Sequence, residues 1–297
     1  MKTRMRSVAT LLFLTTFLFI SSAHSAQAAI CTWTGGNGDW NDPVHWSCGH
    51  VPLSGDDATI NDGSTVTVSG SAEVGSLTLS NGTLTGAGAL TAGTINWDGG
   101  TMSGIGSTTA TSFANFTSSN VIVLNDRTFN NAGAATWTKT GYLGMNPAAI
   151  FNNQAGATFT IQTTGTYVTY WQGTFNNYGT LNLTTGNIIV TTFKQEAGGI
   201  TNLAIRGTTP DSDYSQLNAS DFYLTGPLNI SFTGGYTPQV SDHFILLWDS
   251  NSRTGDFSPV NITPVAGVSW NLTYEGKYLH LRAMLGLRQF FIPIIIR

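Results

Sequence analysis

Enzymes that act on sugar polymers use paired carboxylates as acid and base, or carboxylates that hold calcium beside a basic residue. Between residues 63 and 205 the chain offers four acids, Glu73, Asp98, Asp126 and Glu196, and three bases, Arg127, Lys139 and Lys194. None of the acids recurs at a fixed spacing. The one adjacent pair, Asp126-Arg127, would project to opposite faces of a strand. A Gly-x-Ser-x-Gly turn, a phosphate loop and a helical His-Glu-x-x-His are all missing from the sequence. The residues therefore assign no catalytic group, no metal ligand and no cofactor, and the chain reads as a non-enzyme.

Three other groups could bind or cross-link. Cys31 and Cys48, 17 residues apart, are the only cysteines. In an exported chain the pair reads as a disulfide, worth roughly 3 kcal/mol in lost chain entropy. The alternative is a zinc cluster with His45 and His50, whose spacing fits no standard finger. Asn37-Gly38-Asp39 with Asn41-Asp42 could ligate calcium, but it also has the composition of a plain turn. Tyr167, Tyr170, Trp171 and Tyr178 crowd one stretch, and alternation cannot bury both Tyr170 and Trp171. At least one ring should face outward, which makes Tyr167, Tyr170 and Trp171 candidate contacts for a glycan or a protein. A partly packed corner is the alternative.

The elements that must position these residues are repeats. Phe129-Asn130-Asn131, Phe151-Asn152-Asn153 and Phe175-Asn176-Asn177 follow one another at steps of 22 and 24 residues, with a degenerate copy 18 further on at Phe193. A period near 20 is a solenoid signal. Each copy continues as an alternating run such as Thr158-Phe159-Thr160-Ile161, the pattern of a strand with one buried face. A coil of about 20 residues holds roughly three short strands joined by turns, one rung of a right-handed parallel β-helix. Rungs about 4.8 Å apart would place equivalent side chains above one another, Phe inward and Asn in an amide ladder at a corner.

Composition agrees. Only 9% of residues are charged while 41% are hydrophobic, so Thr, Ser and Asn take the wet positions that Lys and Glu fill in helical proteins. Lys2, Arg4 and Arg6, the apolar run Val8 to Ile20 and Ala26-Gln27-Ala28 have the form of a secretory signal peptide over residues 1–28. Without it, nine Lys and Arg face sixteen Asp and Glu, a net of −7. Nucleic acid is then a poor partner. No later stretch is long and apolar enough to span a bilayer.

Residues 31–60 run Trp33, Gly35-Gly36, Gly38, Asp39-Trp40-Asn41-Asp42-Pro43, His45-Trp46, Val51-Pro52 and Gly55-Asp56-Asp57. This order resembles the opening motif of secreted β-helical proteins of the autotransporter-passenger and adhesin-like kind, with His45 where Asn is usual. The strands after Tyr214, through Gly235-Tyr236-Thr237-Pro238 to Tyr278-Leu279-His280-Leu281, are similar to the C-terminal closing strands of that family. The resemblance covers the passenger-like part, with no outer-membrane barrel. It implies a secreted or cell-surface protein with a structural or adhesive role.

The expected organisation is a signal peptide over 1–28, an N-terminal cap over 29–60 and a parallel β-helix over 61–209. An antiparallel β closing region over 210–284 and an apolar tail over 285–297 complete it. In the cap, Trp33, Trp40 and Trp46 plug the open end of the solenoid beside the disulfide; their alternative is a sugar-stacking platform. The tail, Phe290 to Arg297, is either a sorting element or a lightly docked terminus. The function expected is adhesion to glycans or to cell-surface and matrix components, without catalysis. A polysaccharide lyase or hydrolase is the alternative.

Overall fold

The computed structural model describes residues 28–138, 141–163, 169–170 and 172–286, leaving aside the side chains of Thr169 and Tyr170. Among the described residues there is no α-helix, and a single 3₁₀ turn, Pro43–His45, interrupts a succession of strands from Ile30 to Leu285. Nearly all of them pair in parallel with the equivalent strand one coil away, so the chain is an all-β solenoid. Each coil presents three faces. Val66, Leu84, Met102, Leu124 and Met145 stack in register inside the first.

The second face carries the repeat. Phe129, Phe151, Phe175, Phe193 and Phe222 are register partners in turn, and every one is buried. Their ring centroids are 5.0, 5.4, 5.7 and 5.7 Å apart. Two residues further on, Asn131, Asn153 and Asn177 are fully buried at the corner before the third face. Asn131 Nδ2 donates to Asn153 Oδ1 at 2.9 Å, and Asn153 Nδ2 to Asn177 Oδ1 at 2.8 Å. The second N–H of each amide goes to a main-chain carbonyl: Thr158 for Asn131, Thr180 for Asn153 and Ile200 for Asn177. Gln195 takes the next place and donates to the Pro227 carbonyl at 2.9 Å. The buried amides thus have hydrogen-bond partners, which a polar side chain in a core requires.

The third face runs through Ala58–Ile60, Leu77–Leu79, Ile95–Trp97, Phe159–Ile161, Leu181–Leu183 and Leu228–Ile230, whose alternate residues point outward.

The parallel stack is longer than the 61–209 read from the sequence. It begins with Ile30–Thr32 on Asp57–Thr59 and continues past residue 210 to Val260–Ile262. The step from Phe193 to Phe222 is 29 residues, and Lys194-Gln195 and Tyr223-Leu224 replace the Asn pair, so the period is no longer visible to the eye. Antiparallel pairing closes the stack only where Val268–Glu275 and Tyr278–Leu285 fold against the first part of His243–Gly255. At the other end Cys31 and Cys48 are disulfide-linked, with Cα atoms 4.9 Å apart. Trp33, Trp40 and Trp46 pack edge to face beside them.

Phe151→Ala should cost about 3–5 kcal/mol in urea unfolding, because the rings above and below hold the void open. Asn153→Ala should cost about 1–3 kcal/mol by leaving the Asn131 amide and the Thr180 carbonyl short of partners. A loss under about 1 kcal/mol at both positions, the range of ordinary surface changes, would contradict an interior built on these columns.

Candidate functional site

The acids of the rod are not brought together. Asp98 accepts from Thr117 Oγ1 and Asp126 from Asn146 Nδ2, and none of Glu73, Asp98, Asp126 and Glu196 forms a salt bridge among the described residues. Asp126 lies at a turn with φ 59°, while its neighbour Arg127 turns fully inward. That guanidinium meets only neutral oxygens: Thr108 Oγ1 at 2.7 Å and the carbonyls of Gly86, Gly88, Ser103 and Ser107 at 2.8–3.1 Å. Burial pulls its pKa down to about 10, so it stays charged at neutral pH and serves the interior. A Cβ at Gly106 would lie 2.1 Å from the Gly88 carbonyl oxygen and 2.9 Å from Arg127 Nη1, so the close approach of the two coils here requires glycine. Lys139 lies outside the described residues.

At the N-terminal end both sulfurs are spent in the disulfide. His50, within 4.8 Å of them, instead faces Asp56 at 3.0 Å, so no thiolate is left to complete a metal set. The three tryptophans of the cap are at most 2% exposed, which removes them as a sugar platform. Of the aromatic group read from the sequence, Tyr167 and Trp171 lie outside the described residues. Tyr170 is placed only by its main chain, beside Ile189. Tyr178 is 39% exposed at the turn after Thr174–Asn177.

A concentration of functional side chains appears instead on the outer face of the closing sheet. Leu279, Leu281 and Ala283 of the last strand are buried, which sends Tyr278, His280 and Arg282 to the opposite face, where His280 is still largely covered at 9% exposed. Register then sets Trp248, Tyr278 and Glu275 in one row, Ile245, His280 and Thr273 in the next, and His243, Arg282 and Asn271 in a third. Trp248 and Tyr278 are 41% and 40% exposed, lie within 15° of parallel and have centroids 6.5 Å apart. They form a stacked, part-exposed aromatic pair. His243 Nε2 lies 2.7 Å from His280 Nδ1, a hydrogen bond in which one ring donates and the other accepts. Arg282 grips both oxygens of Glu275, Nη2 to Oε2 at 2.7 Å, and His280 Nε2 is 4.0 Å from the same carboxylate.

The electrostatics follow from these contacts. Arg282 holds the Glu275 pKa down at about 2, so this carboxylate remains ionised and cannot act as a proton donor near neutrality. Burial, then the charge of Arg282, lowers His243 below the ordinary histidine value. The face therefore offers two part-exposed rings, a hydrogen-bonded pair of imidazoles and a locked ion pair. The sequence reading missed it because it weighed carboxylates in the rod alone. Tyr278-Leu279-His280-Leu281-Arg282 alternates with period two and was the available signal.

No protein-family model matches the chain, and no curated protein matches it. By fold it is a parallel β-solenoid with an N-terminal disulfide and tryptophan cluster, closed by an antiparallel hairpin.

Because the His243 pKa is lowered in the folded state, the unfolded chain takes up its proton first. Stability is lost as pH falls through about 6.5 toward the lower folded value. The groups facing His243 are His280, Arg282 and Glu275, and two of these are cationic when protonated. The acids with lowered pKa, among them Asp56, Asp213 and Glu275, act only in more acid solution. Thermal unfolding should give a lower Tm at pH 5 than at pH 7.5, with the difference reduced in His243→Gln. An equal or higher Tm at pH 5 would contradict the assignment.

Proposed function

We propose that the chain is an exported, adhesin-like β-solenoid that binds glycans through exposed aromatic faces and performs no catalysis. The observation that carries this reading is the Trp248–Tyr278 pair, two part-exposed rings stacked with nearly parallel planes on the closing sheet. Flat ring faces suit the CH faces of pyranose sugars. The disulfide fits an oxidising compartment outside the cell, and the motif order of residues 31–60 is similar to that of secreted adhesin-like β-helices. A mature chain of net −7 turns anionic polymers away and leaves neutral or apolar contacts.

One observation favours a second reading, action on a polysaccharide. His243 and His280 stand beside the aromatic pair, where a bound sugar could meet an imidazole base.

A glycan array probed with the wild type, Trp248→Ala and Tyr278→Ala decides the first reading. Binding should fall roughly tenfold or more in Trp248→Ala and survive molar salt, since stacking depends little on ionic screening. Binding that vanished with salt and ignored both substitutions would refute it. Release of reducing ends or unsaturated uronates from incubated polymers, lost in His243→Gln, would favour the enzyme.

A further inference from the structure

The outward column of the third face has a composition that neither the core nor the aromatic site explains. Register assigns to it, coil after coil, Thr32, Thr59, Thr78, Asn96, Asn115, Thr136, Thr160, Asn182, Asn202, Asn229 and Asn261. Every position is Thr or Asn. None is charged, aromatic or aliphatic, whereas the outward column of the second face passes from Asn176 to Lys194 and Tyr223. Toward the closing end the amides form a directed chain. Asn261 donates to Asn229, Asn229 to Asn202 and Asn202 to Asn182, each at 2.8 Å, and Asn182 donates to Thr160 Oγ1 at 3.2 Å. An amide carries two N–H donors and two acceptor lone pairs, so these ladder bonds leave one N–H and one lone pair on each of the inner amides.

A second, independent feature lies beside this column. Between it and the next outward column, Thr184, Ala204, Ser231 and Thr263, runs a shallow trough in two segments that join at Asn202 and Ser231. Its floor is the strand backbone at Leu183, Leu203, Ile230 and Ile262, and its lining contains no ionisable and no aromatic residue. The trough follows the rod axis, and its amide wall repeats about every 4.8 Å, the spacing of paired strands.

From these two features we infer that the trough is a binding site for an unbranched, neutral polysaccharide lying along the rod, one sugar to a coil. The free N–H and lone pair of each amide match a sugar hydroxyl, which both donates and accepts. The repeat is close to the advance of one pyranose unit in an extended chain. A charged polymer would find no counter-charge in the lining. A flat lattice such as ice would touch the rims of a concave trough and leave its floor empty. The site stands apart from the Trp248–Tyr278 surface and does not depend on it.

The test is retention of the full mature chain on regenerated cellulose, chitin, linear mannan and curdlan, with polygalacturonate gel and ice shaping as the competing surfaces. Ala204→Trp and Ser231→Arg fill the trough from outward positions, and Thr184→Trp one coil away replaces either if it fails to fold. Expected is retention on at least one neutral polymer that falls roughly tenfold or more in the filled variants, the effect of losing one or two hydrogen bonds, and persists in Trp248→Ala. No retention on any of the four would overturn the inference. So would retention indifferent to filling, preference for the anionic gel, or ice shaping that the filled variants abolish without any polymer binding. Loss in Trp248→Ala with the filled variants unaffected would assign binding to the aromatic surface alone.

Discussion

Parallel pairing at constant register forces each side chain onto its counterpart one coil away, and the rest of the molecule follows from that. A column must be made of residues that tolerate their own kind at about 4.8 Å. Like charges stacked at that distance repel, whereas Phe on Phe, Thr on Thr and Asn on Asn attract. This accounts for a chain in which only 9% of residues are charged and Thr and Asn dominate the wet positions. It also explains why the ionisable cluster lies on the closing sheet. There the antiparallel strands bring unlike residues opposite one another, so Arg282 can meet Glu275 and His243 can meet His280.

The buried ladder of Asn131, Asn153, Asn177 and Gln195 has a different role from the outer column of the third face. Inside, the N–H groups of each Asn go to the next amide and to the main chain, so the ladder locks the corner between two faces. Outside, the same side chain in the same kind of stack keeps capacity to spare and lines a trough. Burial alone separates an amide that fixes register from one that can meet a ligand.

Much of the fold was legible because its driving pattern is local. Phe-Asn-Asn three times over announces a coil, and the period-two runs behind it announce strands. The sequence hid two things for physical reasons. From Phe193 on, Lys194-Gln195 and then Tyr223-Leu224 replace the Asn pair and the coil lengthens, so the stack continues past residue 210 without its signature. The Trp248–Tyr278 surface joins residues 30 positions apart through an antiparallel register that no local pattern specifies. Arg127 was legible only as a base, since nothing in its neighbours tells that five neutral oxygens wait for it inside.

That arginine bears on how the rod comes apart. In an ideal solenoid each coil touches only its neighbours, and the ends can fray one coil at a time. Arg127 breaks this rule, because it reaches Ser103 and Ser107 in the adjoining coil and also Gly86 and Gly88 in the coil beyond, 41 and 39 residues away in sequence. Opening any one of the three coils strips acceptors from a buried cation. These coils are therefore bound to open together, as a single cooperative block set between stretches that can loosen piecemeal.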